Sequence, residues 1–331
     1  MLTNKHSALV FLAALSFCGV LHADCNAEGK GAFQYVRETI PAPSIGANMI
    51  GEADEQMLRI FLPPSYAEGQ RRYPVMYFFT GYYSDEEIGY LDSVLPQVMR
   101  ESEYIIVSVK VINSLHGTFG MNSPVTGNWE DFILQDVVSY MDAHYRTLAQ
   151  RQSRMVCGVS MGGHIALKMG FEHPDVFGLM YSLCPGVFDE QGLENAWSTW
   201  DDTFRFAYGA AVAPNPDKPF PHADIPTMDG SPEDMAARAR WNRGFGMLPE
   251  RIDAYLARPV QLEHFCIEVG TKDYYEWIPQ GCIYLSRQLF DKKVPHQFVL
   301  TTNGHDFSPE IFKEGMGAFA ATYLATEEIA Q

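Results

Sequence analysis

The chain has 331 residues, 47% of them hydrophobic and 20% charged, and its 27 Gly and 20 Pro follow no repeat, which excludes a collagen-like or low-complexity protein. Its length admits one or two domains with a sizeable core. Lys and Arg number 24 against 41 Asp and Glu, a net charge of −17; such a surface is repelled by phosphate backbones and anionic lipid, so nucleic acid is not an expected partner.

The first residues place one basic side chain, Lys5, ahead of an apolar run from Ala8 to Leu21, with a small residue at Ala23. That pattern predicts a secretory signal peptide over residues 1–23 and a mature chain over 24–331, secreted or periplasmic. The run is too short to span a bilayer and no later stretch is long and apolar enough, so no membrane anchor is expected. The mature chain keeps Cys25, Cys157, Cys184, Cys266 and Cys282. An odd count in an exported chain leaves at least one thiol unpaired. Cys157, Cys184 and Cys266 fall in strand-like runs, where a small buried hydrophobe is as good a reading as a disulfide. No Cys-x-x-Cys or His-x-x-x-His pair occurs, so no metal site is expected.

In chain order, strands are predicted at Met57 to Leu62, Val75 to Phe79, Tyr104 to Val109, Met155 to Val159, Leu179 to Cys184, Phe265 to Val269 and His296 to Leu300. Most are continuously apolar, as strands covered on both faces are. Helices are predicted at Trp129 to His144, Met161 to His173, Gly281 to Lys292 and Pro309 to Thr326, from apolar spacings of three and four. The alternation predicts an α/β fold, a mostly parallel central sheet with helices on both faces. It breaks at about 185–262, where Pro214, Pro216, Pro219, Pro221 and Pro226 are flanked by many aromatics. This segment is expected to be a lid-like insertion in one catalytic domain, with small helices of its own.

The strongest chemical signal is Gly158-Val159-Ser160-Met161-Gly162-Gly163, directly after a predicted strand and before a predicted helix. A serine alcohol is a weak nucleophile; a sharp strand-to-helix turn exposes its Oγ to a base, and the glycines leave room for the tight backbone. Among ten histidines, His305 is the expected base, because it lies in the loop Thr302-Asn303-Gly304-His305-Asp306 beyond the last strand, where open α/β sheets collect functional groups. His116 is the reserve. Asp273, in Gly270-Thr271-Lys272-Asp273 after the preceding strand, is expected to orient the imidazole; Asp189 and Glu268 are alternatives, and Asp306 fits a turn cap better. The oxyanion donors are expected to be the amides of Met161 and of Tyr82, the latter in Phe79-Thr80-Gly81-Tyr82-Tyr83.

From about Leu58 to Tyr323 the chain resembles the esterase family of α/β-hydrolases that includes S-formylglutathione hydrolases, feruloyl and acetylxylan esterases and mycolyltransferases. The matching segments are Leu62-Pro63-Pro64-Ser65-Tyr66, Tyr73-Pro74-Val75-Met76-Tyr77, Asn122-Ser123-Pro124 with Gly127-Asn128-Trp129-Glu130-Asp131, the Ser160 motif, His173-Pro174-Asp175-Val176-Phe177, Gly270-Thr271-Lys272-Asp273 and Gly304-His305-Asp306. The chain departs from the family pattern at Thr80-Gly81, where His-Gly is usual. The resemblance implies the Ser160–His305–Asp273 triad and ester cleavage without a cofactor. The expected substrate is an acyl ester of a soluble alcohol or carbohydrate, with Trp129, Trp197, Trp200 and Trp241 as candidate substrate contacts. Acyl transfer through the same triad, or a non-catalytic interaction protein on this scaffold, are the alternatives.

Overall fold

The computed structural model describes residues 34–83, 94–95, 98–99 and 101–327. The expected signal segment and Cys25 lie outside the described residues. Eight strands form one sheet: β1 (Gln34–Pro41), β2 (Glu55–Leu62), β3 (Val75–Phe79), β4 (Ile105–Val109), β7 (Arg154–Val159), β8 (Leu179–Leu183), β9 (His264–Gly270) and β10 (Gln297–Thr301). Their order is β1-β2-β4-β3-β7-β8-β9-β10. The first two are antiparallel to their neighbours, and every pair from β4 to β10 is parallel. All seven predicted strands are present within two residues of their expected ends. β1 was not predicted, nor was the two-stranded hairpin β5 (Asn122–Ser123) and β6 (Gly127–Asn128).

Every residue of β3, β4 and β8 is buried, as continuous β-branched and aromatic runs require once helices cover the sheet. Helix α1 starts at Trp129–Asp131, passes through a π-helical stretch at Phe132–Val137 and continues as Val138–His144. Helix α2 (Met161–Glu172) packs on β7 and β8 with eleven of its twelve residues buried. Between β8 and β9 the chain builds α3 (Gly192–Trp197), α4 (Asp202–Val212), α5 (Pro232–Phe245) and α6 (Leu248–Leu256). Helix α7 (Trp277–Asp291) follows β9. The last helix, α8, runs from Pro309–Phe312 through a π-helical stretch, Lys313–Gly317, to Ala318–Tyr323.

The segment between β8 and β9 forms helices for local reasons. Asp201 caps α4 by accepting from the Phe204 amide at 2.8 Å, and Ser231 caps α5 by accepting from the Asp234 amide at 3.2 Å with Pro232 in the first turn. Both are standard ways of satisfying the orphan amides of a helix start. The buried Asp234 then holds the preceding loop by accepting from the amides of Thr227, Met228 and Gly230 at 2.8–3.1 Å. Tyr208 ties α4 to α5: its hydroxyl donates to Trp241 O at 2.9 Å and accepts from Phe245 N at 2.8 Å.

Cys157, Cys184, Cys266 and Cys282 are buried free thiols, packed as small hydrophobes. No helix among the described residues is long and apolar enough to cross a membrane.

Candidate active site

The parallel register brings the C-terminal ends of five strands to one edge: Phe79 pairs with Gly158, Val159 with Leu183, Leu183 with Glu268 and Gly270 with Thr301. From β3 the chain moves first to β4 on one side and later to β7 on the other. The crevice beyond β3 and β7 is therefore a topological switch point, where such sheets hold their sites.

Ser160 is the single residue between β7 and α2, at φ 59° and ψ −119°. A non-glycine residue in that region costs on the order of 1–3 kcal/mol and persists only where its surroundings dictate it. Here the Ser160 amide donates to Leu183 O at 2.9 Å and its carbonyl accepts from His164 N at 3.0 Å. A Cβ on Gly158 would lie 2.4 Å from Gly162 O, so the turn closes only with glycine there. The Met161 amide opens α2, where intrahelical partners are lacking and the helix dipole favours negative charge.

His305 and Asp273 arrive on adjoining loops after β10 and β9. The loops are bound together by Thr271 N donating to Thr301 O at 2.9 Å and Lys272 N to Asn303 O at 3.0 Å. His305 Nδ1 lies 2.6 Å from Asp273 Oδ2, and the Asp273 side chain is fully buried. The other carboxylate oxygen accepts from the Tyr275 amide at 2.9 Å. An Nδ1 proton donated to this carboxylate would leave Nε2 as the acceptor.

Ser160, His305, Gly81, Tyr82 and Met161 share one cavity of about 430 Å³. Most of the remaining wall comes from the segment after β8, from the loop after β9 with the first turn of α7, and from the loop after β10. Thr199, Trp200, Asp201, Phe204 and Phe245 belong to the first, and Tyr274, Tyr275, Trp277, Ile278 and Phe307 to the others. The Tyr82 ring packs edge-on against Phe204 at 4.7 Å, joining the loop after β3 to α4.

The alternative residues lie elsewhere. Glu268 is buried in β9 and accepts from the Tyr181 hydroxyl, Asp189 accepts from the Gln191 amide at 3.1 Å, and Asp306 accepts from the Gly304 amide at 3.0 Å within its own turn. His116 stacks on Tyr83 at 4.0 Å, outside the cavity wall.

Of the four expected tryptophan contacts, only Trp200 lines the cavity. Trp129 is fully buried, its indole donating to Thr126 O at 2.7 Å. Trp241 is fully buried within the α4–α5 unit, donating to Asp224 O at 2.7 Å. Trp197 packs on Trp241 and carries the Arg205 guanidinium over its ring at 4.3 Å. These three stand outside the cavity wall, Trp129 and Trp241 fully buried and Trp197 partly so. Sequence reasoning missed Trp277, Tyr274, Tyr275 and Asp201 as wall residues. Tyr274 and Tyr275 directly follow Asp273, and Asp201 precedes a helix, so proximity to the triad motif and the capping position were the available signals.

Two clusters have metal-like composition. Cys184, Asp273 and His305 are close together, but burial pushes the Cys184 thiol up to about 12, which keeps it protonated, and the other two are hydrogen-bonded to each other. Around Glu130, Glu172 and His173, Lys168 Nζ already sits 2.6 Å from Glu130 and 2.8 Å from Glu172, so an internal ammonium fills the place of a cation.

Residues 53–241 match the model of a protein family described as "Putative esterase". The chain is 24% identical over 281 residues to Esterase Rv1288 of Mycobacterium tuberculosis, covering 80% of this chain and 55% of that one. It thus spans about half the length of the curated relatives it matches. Among solved structures it is similar to S-formylglutathione hydrolase FrmB from Staphylococcus aureus, at 16% identity and a TM-score of 0.62, covering 88% of this chain and 99% of the other. The fluorophosphonate-binding serine hydrolase FphF from the same organism gives 17%, 0.64, 89% and 100%. A ferulic acid esterase from Anaeromyces mucronatus, in complex with ferulic acid, gives 18%, 0.56, 90% and 92%. At these identities the structural likeness establishes the fold.

Proposed function

The chain belongs to the esterase family of that model and has an α/β-hydrolase fold; we propose that it is a serine carboxylic ester hydrolase in which Ser160, His305 and Asp273 form the catalytic triad. The observation that carries this reading is the 2.6 Å contact between His305 and Asp273, at a cavity that also holds the strained Ser160. Ser160 Oγ attacks the ester carbonyl as His305 Nε2 takes its proton, and Asp273 stabilises the resulting imidazolium. The amides of Tyr82 and Met161 receive the oxyanion. His305 returns the proton to the departing alcohol, and water activated by the same imidazole releases the acid from Ser160.

The substrate of this reading is an acyl ester of a soluble alcohol or carbohydrate, of the feruloyl kind for which similar structures are named or of the acetyl kind that the family resemblance adds. Residues 24–331 are read as one catalytic domain in which the segment of about 185–262 is an insertion roofing the cavity. The apolar leader over 1–23 makes the protein an exported one. The test is labelling with a serine-directed fluorophosphonate followed by peptide mapping. Adduct on Ser160, and loss of labelling in Ser160→Ala, is the expected result; adduct on another serine overturns the triad.

A further inference from the structure

The cavity's chemistry is lopsided. Five rings, of Tyr82, Trp200, Phe204, Phe245 and Trp277, form much of its wall, and Asp201, an exposed residue at the start of α4, also lines it. Trp200 bridges the group, with ring centroids 4.6 Å from Phe204, 5.8 Å from Trp277 and 6.2 Å from Phe245. No lysine or arginine lines the cavity among the described residues; His305 is its one basic side chain. The neighbouring acid Asp202 pairs with Arg205 at 3.0 Å, whereas Asp201 has no ion-pair partner among the described residues.

The charge of Asp201 is felt inside the site. Burial first, and then Asp201, push the Tyr82 hydroxyl above the usual phenol range. The Asp201 carboxylate caps α4 by accepting from the Phe204 amide, and no cationic side chain among the described residues stands against it. A cation in the cavity would supply that counter-charge. Aromatic faces attract cations through their quadrupole and do so most strongly when the ion is weakly hydrated. An overall charge of −17 draws cations toward the protein and repels anions.

We propose that this cavity selects esters carrying an ammonium group, quaternary above all, seated against Trp200, Phe204 and Trp277 and countered by Asp201. The proposal rests on the esterase reading and names the substrate class of that same cavity. It excludes esters whose group entering the cavity is a carboxylate.

Two matched pairs of substrates test it. In one, choline esters are compared with esters in which carbon replaces the quaternary nitrogen; in the other, nitrophenyl esters carry an acyl chain ending in trimethylammonium or in tert-butyl. The cationic member is expected to have a kcat/KM higher by about tenfold in at least one pair, which also tells whether the alcohol or the acyl group enters the cavity. In Asp201→Asn, whose amide preserves the helix cap, that ratio falls toward one. Ratios at or below one in both pairs, or a ratio unchanged in Asp201→Asn, overturn the proposal. Tetramethylammonium binding, followed by tryptophan fluorescence and calorimetry, separates the two readings. Binding weakened in Asp201→Asn, without cleavage of any ester, keeps the cation pocket and overturns the esterase reading. Cleavage of neutral esters with no ion binding and no preference overturns the pocket alone.

Discussion

Gly162 rests directly on Phe79: a Cβ at Gly162 would lie 2.1 Å from the Phe79 carbonyl oxygen. The contact fastens the first turn of α2 to the end of β3, and so fixes Ser160 and Met161 relative to Gly81 and Tyr82. Backbone cannot yield there as a flexible side chain would. Gly162→Ala should therefore separate the proposed oxyanion donors, lowering kcat more than it raises KM. Overpacking of this kind costs roughly 1–3 kcal/mol, to be read from urea unfolding alongside the kinetics. Wild-type kcat in a destabilised variant would show that this contact does not position the donors.

The short bond from His305 to Asp273 makes a second prediction. Asp273 has its oxygens taken up by the imidazole and the Tyr275 amide. Asn at this position would present an N–H to one of them and favour the wrong imidazole tautomer. We expect kcat in Asp273→Asn to fall by about 10⁴-fold with KM little changed, as for an orienting acid. Near wild-type turnover would move the acid to another residue, with Asp189 the first to test.

Two carboxylates outside the cavity, partly buried Glu130 and buried Glu268, respond to pH in opposite senses. Burial would raise Glu130, but the hydrogen bond from His173 and the Lys168 ammonium outweigh it and hold the carboxyl at about 2, below its ordinary 4.5. A depressed value means stability that is complete above the unfolded value and is lost as pH falls toward 2. Glu130→Gln should thus be less stable at neutral pH, by at most about 3 kcal/mol, and converge on the wild type near pH 2. Glu268 behaves conversely. Burial raises it above 4.5, and the hydrogen bond from Tyr181 only partly offsets this. Its contribution is complete below the unfolded value and lost as pH rises through the raised one. Glu268→Gln should be neutral in acid and stabilising at pH 7, since Gln can still accept from Tyr181. Urea unfolding at stepped pH checks both; curves shifted in the same direction would contradict the pairing described.

What the sequence made legible follows from how local each signal is. The central strands were readable because strands buried on both faces are continuously apolar, as in Val75–Phe79. β1 was not, because it is an edge strand in which buried Val36 and Ile40 alternate with exposed Arg37 and Thr39, too short a pattern to stand out. The start of α7 was placed at Gly281, two residues beyond Pro279. In the first helical turn proline removes only an amide that has no intrahelical partner, so the helix begins at Trp277. That early start is what carries the Trp277 ring to the cavity. The positions of Ser160, Asp273 and His305 beyond strand ends were legible because each follows its strand in a short local pattern, a strand-to-helix turn for Ser160 and a loop for the other two. Which tryptophans face the cavity depends on packing among α3, α4 and α5, and no local pattern reports it.

The tryptophans therefore divide into two experimental classes. Trp200 is 5% exposed and lines the cavity, whereas Trp129 and Trp241 are 0% exposed, and each spends its indole N–H on a backbone carbonyl away from it. Removing a fully buried indole leaves a void and strands the Thr126 or Asp224 carbonyl. Trp129→Ala and Trp241→Ala should lose about 3–5 kcal/mol of stability while their residual folded protein keeps the wild-type order of preference among acyl esters. Trp200→Ala opens the cavity wall between Phe204 and Trp277. It should change that order of preference, accepting bulkier acyl groups at the expense of aromatic ones, with a smaller loss of stability. Relative kcat/KM across a panel of nitrophenyl esters, measured below the unfolding transition of each variant, separates the classes. A Trp200→Ala enzyme with unaltered preferences would place the selective surface on the other wall, at Tyr274 and Phe307.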